Sequence, residues 1–286
     1  MPAFPIIDSH VHMWDPDNVR MTWIDGNPTL DKKFLPPEFK QHTAGIALEG
    51  FVYLETGVEP HYAFYEARWA ALDLARSEPK LKGVIAAAPT EYGAKVQSYL
   101  KALTQISPII KGIRRITQGE KDPAFCLKPD FIAGTQLLPE FGLSCDLCMN
   151  YKQLEPSVEL VKKCPKTQFI IDHIAKPNIV EHVLDPWREQ IKAMAALPNT
   201  VCKISGVVTE AKRDRWGIDD IRPYIEHVLK VFGEDRVMFG GDWPVLLMAA
   251  SYPRWVEALD EITAPMSDAA KRKLWNGNAK RVYRLQ

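Results

Sequence analysis

The sequence predicts an α/β fold, a single distorted (β/α)8 TIM-type barrel that takes residues 1–286 as one domain, and three observations predict it. Short apolar runs rich in Val, Ile and Phe recur eight times. Longer amphipathic segments separate most of them, so strand and helix alternate along the chain. The runs are nearly continuous in apolar character with polar residues at their C-terminal ends, as expected of parallel strands covered on both faces by crossover helices.

In order, the expected strands are Phe4–His12, Gly50–Thr56, Leu81–Ala88, Ile109–Ile116, Leu143–Asn150, Thr167–Ile174, Thr200–Val207 and Arg236–Trp243. Amphipathic periodicity places helices at Tyr62–Arg76, Leu154–Lys163, Trp187–Leu197 and Ile218–Phe232. No Gly-x-Gly-x-x-Gly follows the first strand and no phosphate-cradling lysine motif is present, which weighs against a doubly wound open sheet. The stretch from Trp14 to Phe39, with Pro16, Pro28, Pro36 and Pro37, reads as a long loop after strand one, at the end of the barrel where active sites are built.

Charge and composition narrow the class of partner. With 36 basic and 36 acidic side chains the formal net charge is zero, so nothing marks the chain for nucleic acid or an anionic membrane, and a small-molecule substrate fits better. A homo-oligomer is compatible with this composition. The N-terminus carries no basic region followed by an apolar run, which leads to the expectation of a cytoplasmic protein. Five dispersed cysteines read as reduced thiols packed as small hydrophobes; Cys145 and Cys148 fall three apart in an expected strand, facing opposite sides, with no second pair to complete a zinc site.

Candidate chemistry gathers at the C-terminal ends of the strands. His10 and His12 stand two residues apart at the end of strand one, on one face, aimed into the barrel mouth. That spacing suits one metal ion or two donors to one substrate; the plainer alternative is a pair of imidazoles bonded to neighbouring loops. His173 ends strand six and adds a third imidazole at the same mouth. Asp242 ends strand eight, which pairs with strand one in a closed barrel, so its carboxylate comes near His10 and His12 and can deprotonate water; its alternative role is to cap the helix that follows. His10, His12, His173 and Asp242 are the candidate metal ligands, and Asp242 and His173 the candidate catalytic pair.

Strand four ends in Lys111-Gly-Ile-Arg114-Arg115, three cations that either recognise a carboxylate or carbonyl oxygen or pair structurally with Glu55 or Asp146. Trp14, Glu55, Arg114, Arg115 and Trp243, together with Lys111, are the candidate substrate-binding residues. The remaining histidines, His42, His61, His182 and His227, read as surface residues, and Ser205-Gly206 lacks the context of a nucleophile.

Four segments taken together carry a resemblance: Asp8-Ser-His-Val-His12 with Trp14, Asp172-His-Ile-Ala-Lys-Pro177, Val201-Cys-Lys-Ile-Ser-Gly206 and Phe239-Gly-Gly-Asp-Trp-Pro-Val245. They resemble the amidohydrolase superfamily, and within it the sugar-lactonase branch, which holds L-fuconolactonase and L-rhamnonolactonase-like enzymes beside 2-pyrone-4,6-dicarboxylate and 4-sulfomuconolactone hydrolases. The resemblance implies a hydrolase of sugar metabolism that opens a small lactone with water activated by the aspartate matching Asp242. Superfamily members with two metals use a lysine or glutamate at strand four and a histidine at strand five; here Lys111 begins a cationic run and strand five has no histidine, so a binuclear site is not expected. One zinc ion or none are both open. Arg115 stands where fuconolactonase-like enzymes tend to have histidine, and the added cation points toward a more acidic lactone. The alternative activity is a zinc-dependent non-oxidative decarboxylase of the same superfamily.

Overall fold

A computed structural model describes residues 1–286. Eight parallel strands follow one another in sequence order: β1 Ile6–Val11, β2 Leu48–Leu54, β3 Leu81–Ala87, β4 Ile110–Arg114, β5 Ser144–Leu147, β6 Phe169–Ile171, β7 Thr200–Ile204 and β8 Val237–Phe239. Every pairing between consecutive strands is parallel. The barrel closes past the end of β8, where Val11 bridges to Trp243, His12 N–H donates to the Trp243 carbonyl (2.7 Å) and Asp242 N–H donates to that of His10 (2.8 Å). The expected (β/α)8 architecture is therefore present.

Two apolar layers hold it. The larger lies between the sheet and the surrounding helices and includes Trp187, Trp255 and Trp275. The smaller joins Ile7, Val52, Leu54, Ile85, Ile170, Val201 and Met238, side chains of six different strands that can meet only inside the barrel. The C-terminal helix Asn278–Tyr283 closes this interior by adding Ala279, Val282 and Tyr283 to the same cluster. Two residues beyond Val201 and Ile170, the period of a strand face, stand Lys203 and Asp172, so the interior turns from apolar to charged on approaching the mouth.

The helices Leu154–Lys163 and Ile218–Phe232 begin and end where the periodicity puts them, and Trp187–Ala195 stops two residues short. The Tyr62–Arg76 expectation is met by the helix Ala63–Arg68, which continues through a π-helical turn, Trp69–Leu74, into Ala75–Ser77. Strands β6 and β8 are shorter than expected, because the chain leaves the extended region early. His173, Ile174, Ala175 and Lys176 all have positive φ (46–61°), a left-handed turn, and Asp242 has φ 55°.

The long loop after β1 is packed rather than open. Met21, Ile24, Leu30 and Phe34 are buried, Trp14 pairs antiparallel with Phe34, and the helix Pro36–His42 ends the segment. All five cysteines are free and buried. No helix is long and apolar enough to cross a membrane.

Candidate active site

The end of β1 brings His10 and His12 to one side, with their Nε2 atoms 3.1 Å apart and both rings buried. His12 Nδ1 lies 3.0 Å from the Leu54 carbonyl, which can only accept. That nitrogen therefore carries the ring hydrogen, and His12 Nε2 faces its neighbour as a bare acceptor. Asp242 Oδ1 completes the group, 3.5 Å from His12 Nε2, 3.6 Å from His10 Nε2 and 3.9 Å from His173 Nε2. The candidate ligands and the candidate base thus converge as expected. Burial pushes the Asp242 carboxyl up, but His173 and then His12 and His10 outweigh it and hold the group below the usual carboxylate range. His173, lowered by burial to about 4, is neutral near pH 7.

The backbone is strained where this chemistry sits. A left-handed conformation costs a non-glycine residue roughly 1–2 kcal/mol, and both His173 (φ 54°) and Asp242 (φ 55°) adopt it. Ser205 Oγ lies 2.9 Å from His173 Nδ1 and fixes the ring so that Nε2 faces Asp242. This buried serine does meet a histidine, as a strut. Asp8 ties β1 to the segment before Asp242, accepting from the N–H groups of His10 (2.9 Å) and Gly241 (2.7 Å) and from the Tyr252 hydroxyl (2.8 Å). Gly241 has no room for a side chain there, since a Cβ would lie 2.4 Å from Asp8 Oδ2.

Of the three cations on β4, the structure brings Arg114 to the histidines. Its Nε donates to Glu55 Oε1 (2.5 Å), its Nη2 to the Glu55 carbonyl (2.6 Å) and its Nη1 to Asp172 Oδ2 (3.1 Å), while Nη1 also lies 3.3 Å from His10 Nε2. The expected structural pairing with Glu55 is present, and the guanidinium also touches the cluster. Arg115 points aside, donating to Glu91 (2.8 Å) and Glu120 (2.6 Å). Lys111 lies early in β4, beside the C-terminal tail, where Arg284 donates to its carbonyl oxygen (3.2 Å). The expectation of three cations at one mouth is corrected accordingly: residues alternate along a strand, and Lys111 also stands a turn of the barrel wall below the site.

Trp14 and Trp243 also stand elsewhere than expected. Both are about fully buried, pack edge-on against Phe34, and spend their indole N–H groups inside the loop packing, Trp14 on the Leu30 and Lys32 carbonyls and Trp243 on His42 Nδ1. Large rings next to a long loop are taken up by its core, and Trp14 also lines a separate cavity with Asp15, Tyr53 and Glu66. His42, read as a surface residue, is half-buried by the same contact.

Sequence reasoning missed Lys203. Its ammonium group is fully buried and lies 2.5 Å from Asp146 Oδ2, 3.1 Å from Asp172 Oδ1 and 3.3 Å from His10 Nδ1, while Tyr283 donates to the same Asp146 oxygen (2.6 Å). The available signal was a lysine inside a short strand, Thr200–Ile204, whose other residues carry no charge and whose five residues are all buried. Burial raises Asp172, but Lys203, His10 and Arg114 together draw it well below the usual range; Asp146 is pushed up by burial to about 6.

These residues fit one divalent cation. Among the buried groups around His10, the cations Arg114 and Lys203 face five carboxyls, Asp8, Glu55, Asp146, Asp172 and Asp242, so negative charge is in excess. Tetrahedral zinc with bonds of about 2.0–2.1 Å separates its ligand atoms by about 3.3 Å, close to the 3.1, 3.6 and 3.5 Å among His10 Nε2, His12 Nε2 and Asp242 Oδ1. Asp172 Oδ1, ion-paired with Lys203 at 3.1 Å, lies 3.4 Å from His10 Nδ1, placed to accept from a metal-binding imidazole. Beside Arg114 and Glu55 opens a pocket of about 460 Å3, lined by Val58, Ala88, Tyr92 and Ile116 together with Glu91 and Arg115.

Comparison with known proteins agrees with this arrangement. The amidohydrolase family Amidohydro_2 matches residues 7–285. An L-fucono-1,5-lactonase from Burkholderia multivorans is 30% identical, with 98% of this chain and 96% of that protein covered. An L-rhamnono-gamma-lactonase from Scheffersomyces stipitis is 25% identical with both chains fully covered. The crystal structure of an amidohydrolase from Burkholderia multivorans with bound zinc superposes with a TM-score of 0.88 at 28% identity, over 99% of this chain and 100% of that one.

Proposed function

The chain belongs to the amidohydrolase family, and on that premise we infer that it is a lactonase, a hydrolase that opens a small lactone with water. The observation that carries the mechanism is Asp242, an ionised carboxylate whose Oδ1 lies within 3.9 Å of three imidazoles at the barrel mouth.

In this mechanism Asp242 takes a proton from water as the water oxygen bonds to the lactone carbonyl carbon. The carbonyl oxygen gains negative charge, and Arg114, the cation shared by the cluster and the pocket, is placed to stabilise it. As the ring C–O bond breaks, Asp242 returns the proton to the leaving alkoxide and the hydroxy acid is released. His173, neutral and held by Ser205, keeps the carboxylate oriented. His10, His12 and Asp242 would hold a single zinc ion; the crystal structure of a relative at 28% identity contains bound zinc. Bound there, it would polarise the carbonyl and acidify water.

The pocket favours a neutral sugar lactone over a dicarboxylate. Arg114 and Arg115 are each matched by carboxylates, Glu55 with Asp172 and Glu91 with Glu120 respectively, so neither arginine lining the pocket is left unpaired for an acidic substrate. On this reading Arg115, neutralised by Glu91 and Glu120, does not select an acidic lactone.

The test is acid release from a panel of neutral 1,4- and 1,5-aldonolactones and dicarboxylate lactones, with and without chelator. Hydrolysis of a neutral L-sugar lactone is expected. Silence on every lactone, with zinc-restored loss of CO2 from an aromatic acid, would replace this reading by the decarboxylase.

A further inference from the structure

Lys203 has no part in the mechanism above, yet it reaches the centre of the site. Three acceptors surround its ammonium group, and the third is His10 Nδ1 at 3.3 Å, inside an interior with no exposure to solvent. An ammonium group only donates. Where it donates to Nδ1, that nitrogen is bare and the hydrogen of the neutral ring sits on Nε2, aimed at the bare Nε2 of His12 at 3.1 Å. In this tautomer Arg114 Nη1, 3.3 Å from Nε2, has no acceptor on the ring and donates to Asp172 Oδ2 instead.

A metal needs the opposite tautomer. His10 must then offer the lone pair of Nε2, so its hydrogen moves to Nδ1, where Asp172 Oδ1 stands at 3.4 Å, an acceptor that Lys203 also approaches at 3.1 Å. The same ring nitrogen thus faces one donor, Lys203, and one acceptor, Asp172, at nearly equal distance. The other groups around the ring are His12, His173, Asp242 and Arg114, and Arg114 Nη1 sets a second positive charge 3.3 Å from Nε2.

We propose that Lys203 is a positioning residue that sets the metal affinity of this site, holding His10 in the tautomer that bonds His12 and competing with a divalent cation for the ring. The proposal rests on the assignment of His10, His12 and Asp242 as the metal group. It has a sign that a structural role lacks. Removing a mere anchor loosens the site and weakens zinc, whereas removing a competing donor and a nearby positive charge tightens it.

The experiment is zinc titration by calorimetry of chelator-stripped wild-type protein and Lys203→Met, a substitution that keeps the length of the side chain without its charge. Zinc is expected to bind Lys203→Met roughly tenfold or more tightly than wild type. Equal or weaker binding by the variant, with wild type binding zinc, overturns the proposal and leaves the metal assignment standing; no binding by either protein overturns both. Because a buried lysine is a risk to folding, a second measurement uses metal-free wild type alone. In 15N-histidine NMR, with His10 assigned by its disappearance in His10→Asn, the ring hydrogen is expected on Nε2. A hydrogen found on Nδ1 overturns the proposal whatever the variant does. Neither readout needs a substrate, so a failed lactone panel leaves this result separate.

Discussion

Gly206 lies so close to His173 that a Cβ built on it would stand 2.5 Å from His173 Nδ1 and 3.0 Å from Asp242 Oδ2. The glycine also has φ +59°, a conformation that side chains resist. The missing side chain at this one position is what lets the imidazole and the carboxylate meet.

Gly206→Ala therefore displaces His173 and Asp242, the proposed catalytic pair, from both ends. We expect kcat for lactone hydrolysis to fall by about 10²-fold or more, with a stability loss of about 1–2 kcal/mol in thermal unfolding. A variant of wild-type activity would show that His173 and Asp242 need not be held in this geometry.

Asp242→Asn separates chemistry from structure. Asparagine tolerates the left-handed backbone that Asp242 occupies, so folding should be preserved while the proton acceptor is lost. The expected outcome is a fall in kcat of about 10³-fold at nearly unchanged melting temperature. Retained turnover would remove Asp242 from the role of base.

Arg115 tests the charge balance of the pocket. Replacing both of its partners, Glu91→Gln with Glu120→Gln, leaves the guanidinium unneutralised beside the cavity. The ratio of kcat/KM for a dicarboxylate lactone to that for a neutral aldonolactone should rise roughly tenfold. No change in that ratio would place the acyl substrate away from this wall.

Glu66 gives a pH dependence outside the catalytic cluster. Its Oε1 accepts from Tyr53, from Thr56 N–H and from the Thr56 hydroxyl, while Oε2 has no partner. Burial, with Glu55 nearby, pushes the carboxyl up to about 7 from 4.5. A raised folded-state value means the protonated form is favoured by folding, so this stabilisation is complete below about pH 4.5 and is lost as pH rises through 7. At most about 3 kcal/mol is involved. Glu66→Gln, neutral throughout, should show a smaller loss of stability between pH 5 and pH 8 in denaturant titrations than wild type; parallel curves would refute the shift.

The parts of the molecule that sequence displayed are those governed by local repetition. Eight apolar runs gave eight strands, and two helices fell on their expected boundaries, because burial of one face imposes a period readable along the chain. The strand ends were less legible. After β6 and near Asp242 the backbone turns left-handed in non-glycine residues, a choice no propensity favours and only surrounding contacts can hold.

Residue identity and strand position alone brought His10, His12, His173 and Asp242 to one mouth, since a parallel barrel delivers all strand ends to the same face and puts strand eight beside strand one. Tertiary structure alone decided which charges are free. It paired Arg115 away, moved Lys111 to the barrel's other end, folded Trp14 and Trp243 into the loop core, and set Lys203 against His10 across 193 residues of chain. Ion pairs and ring contacts between distant segments depend on which side chains come within a few ångströms, and spacing along one strand carries no record of that distance.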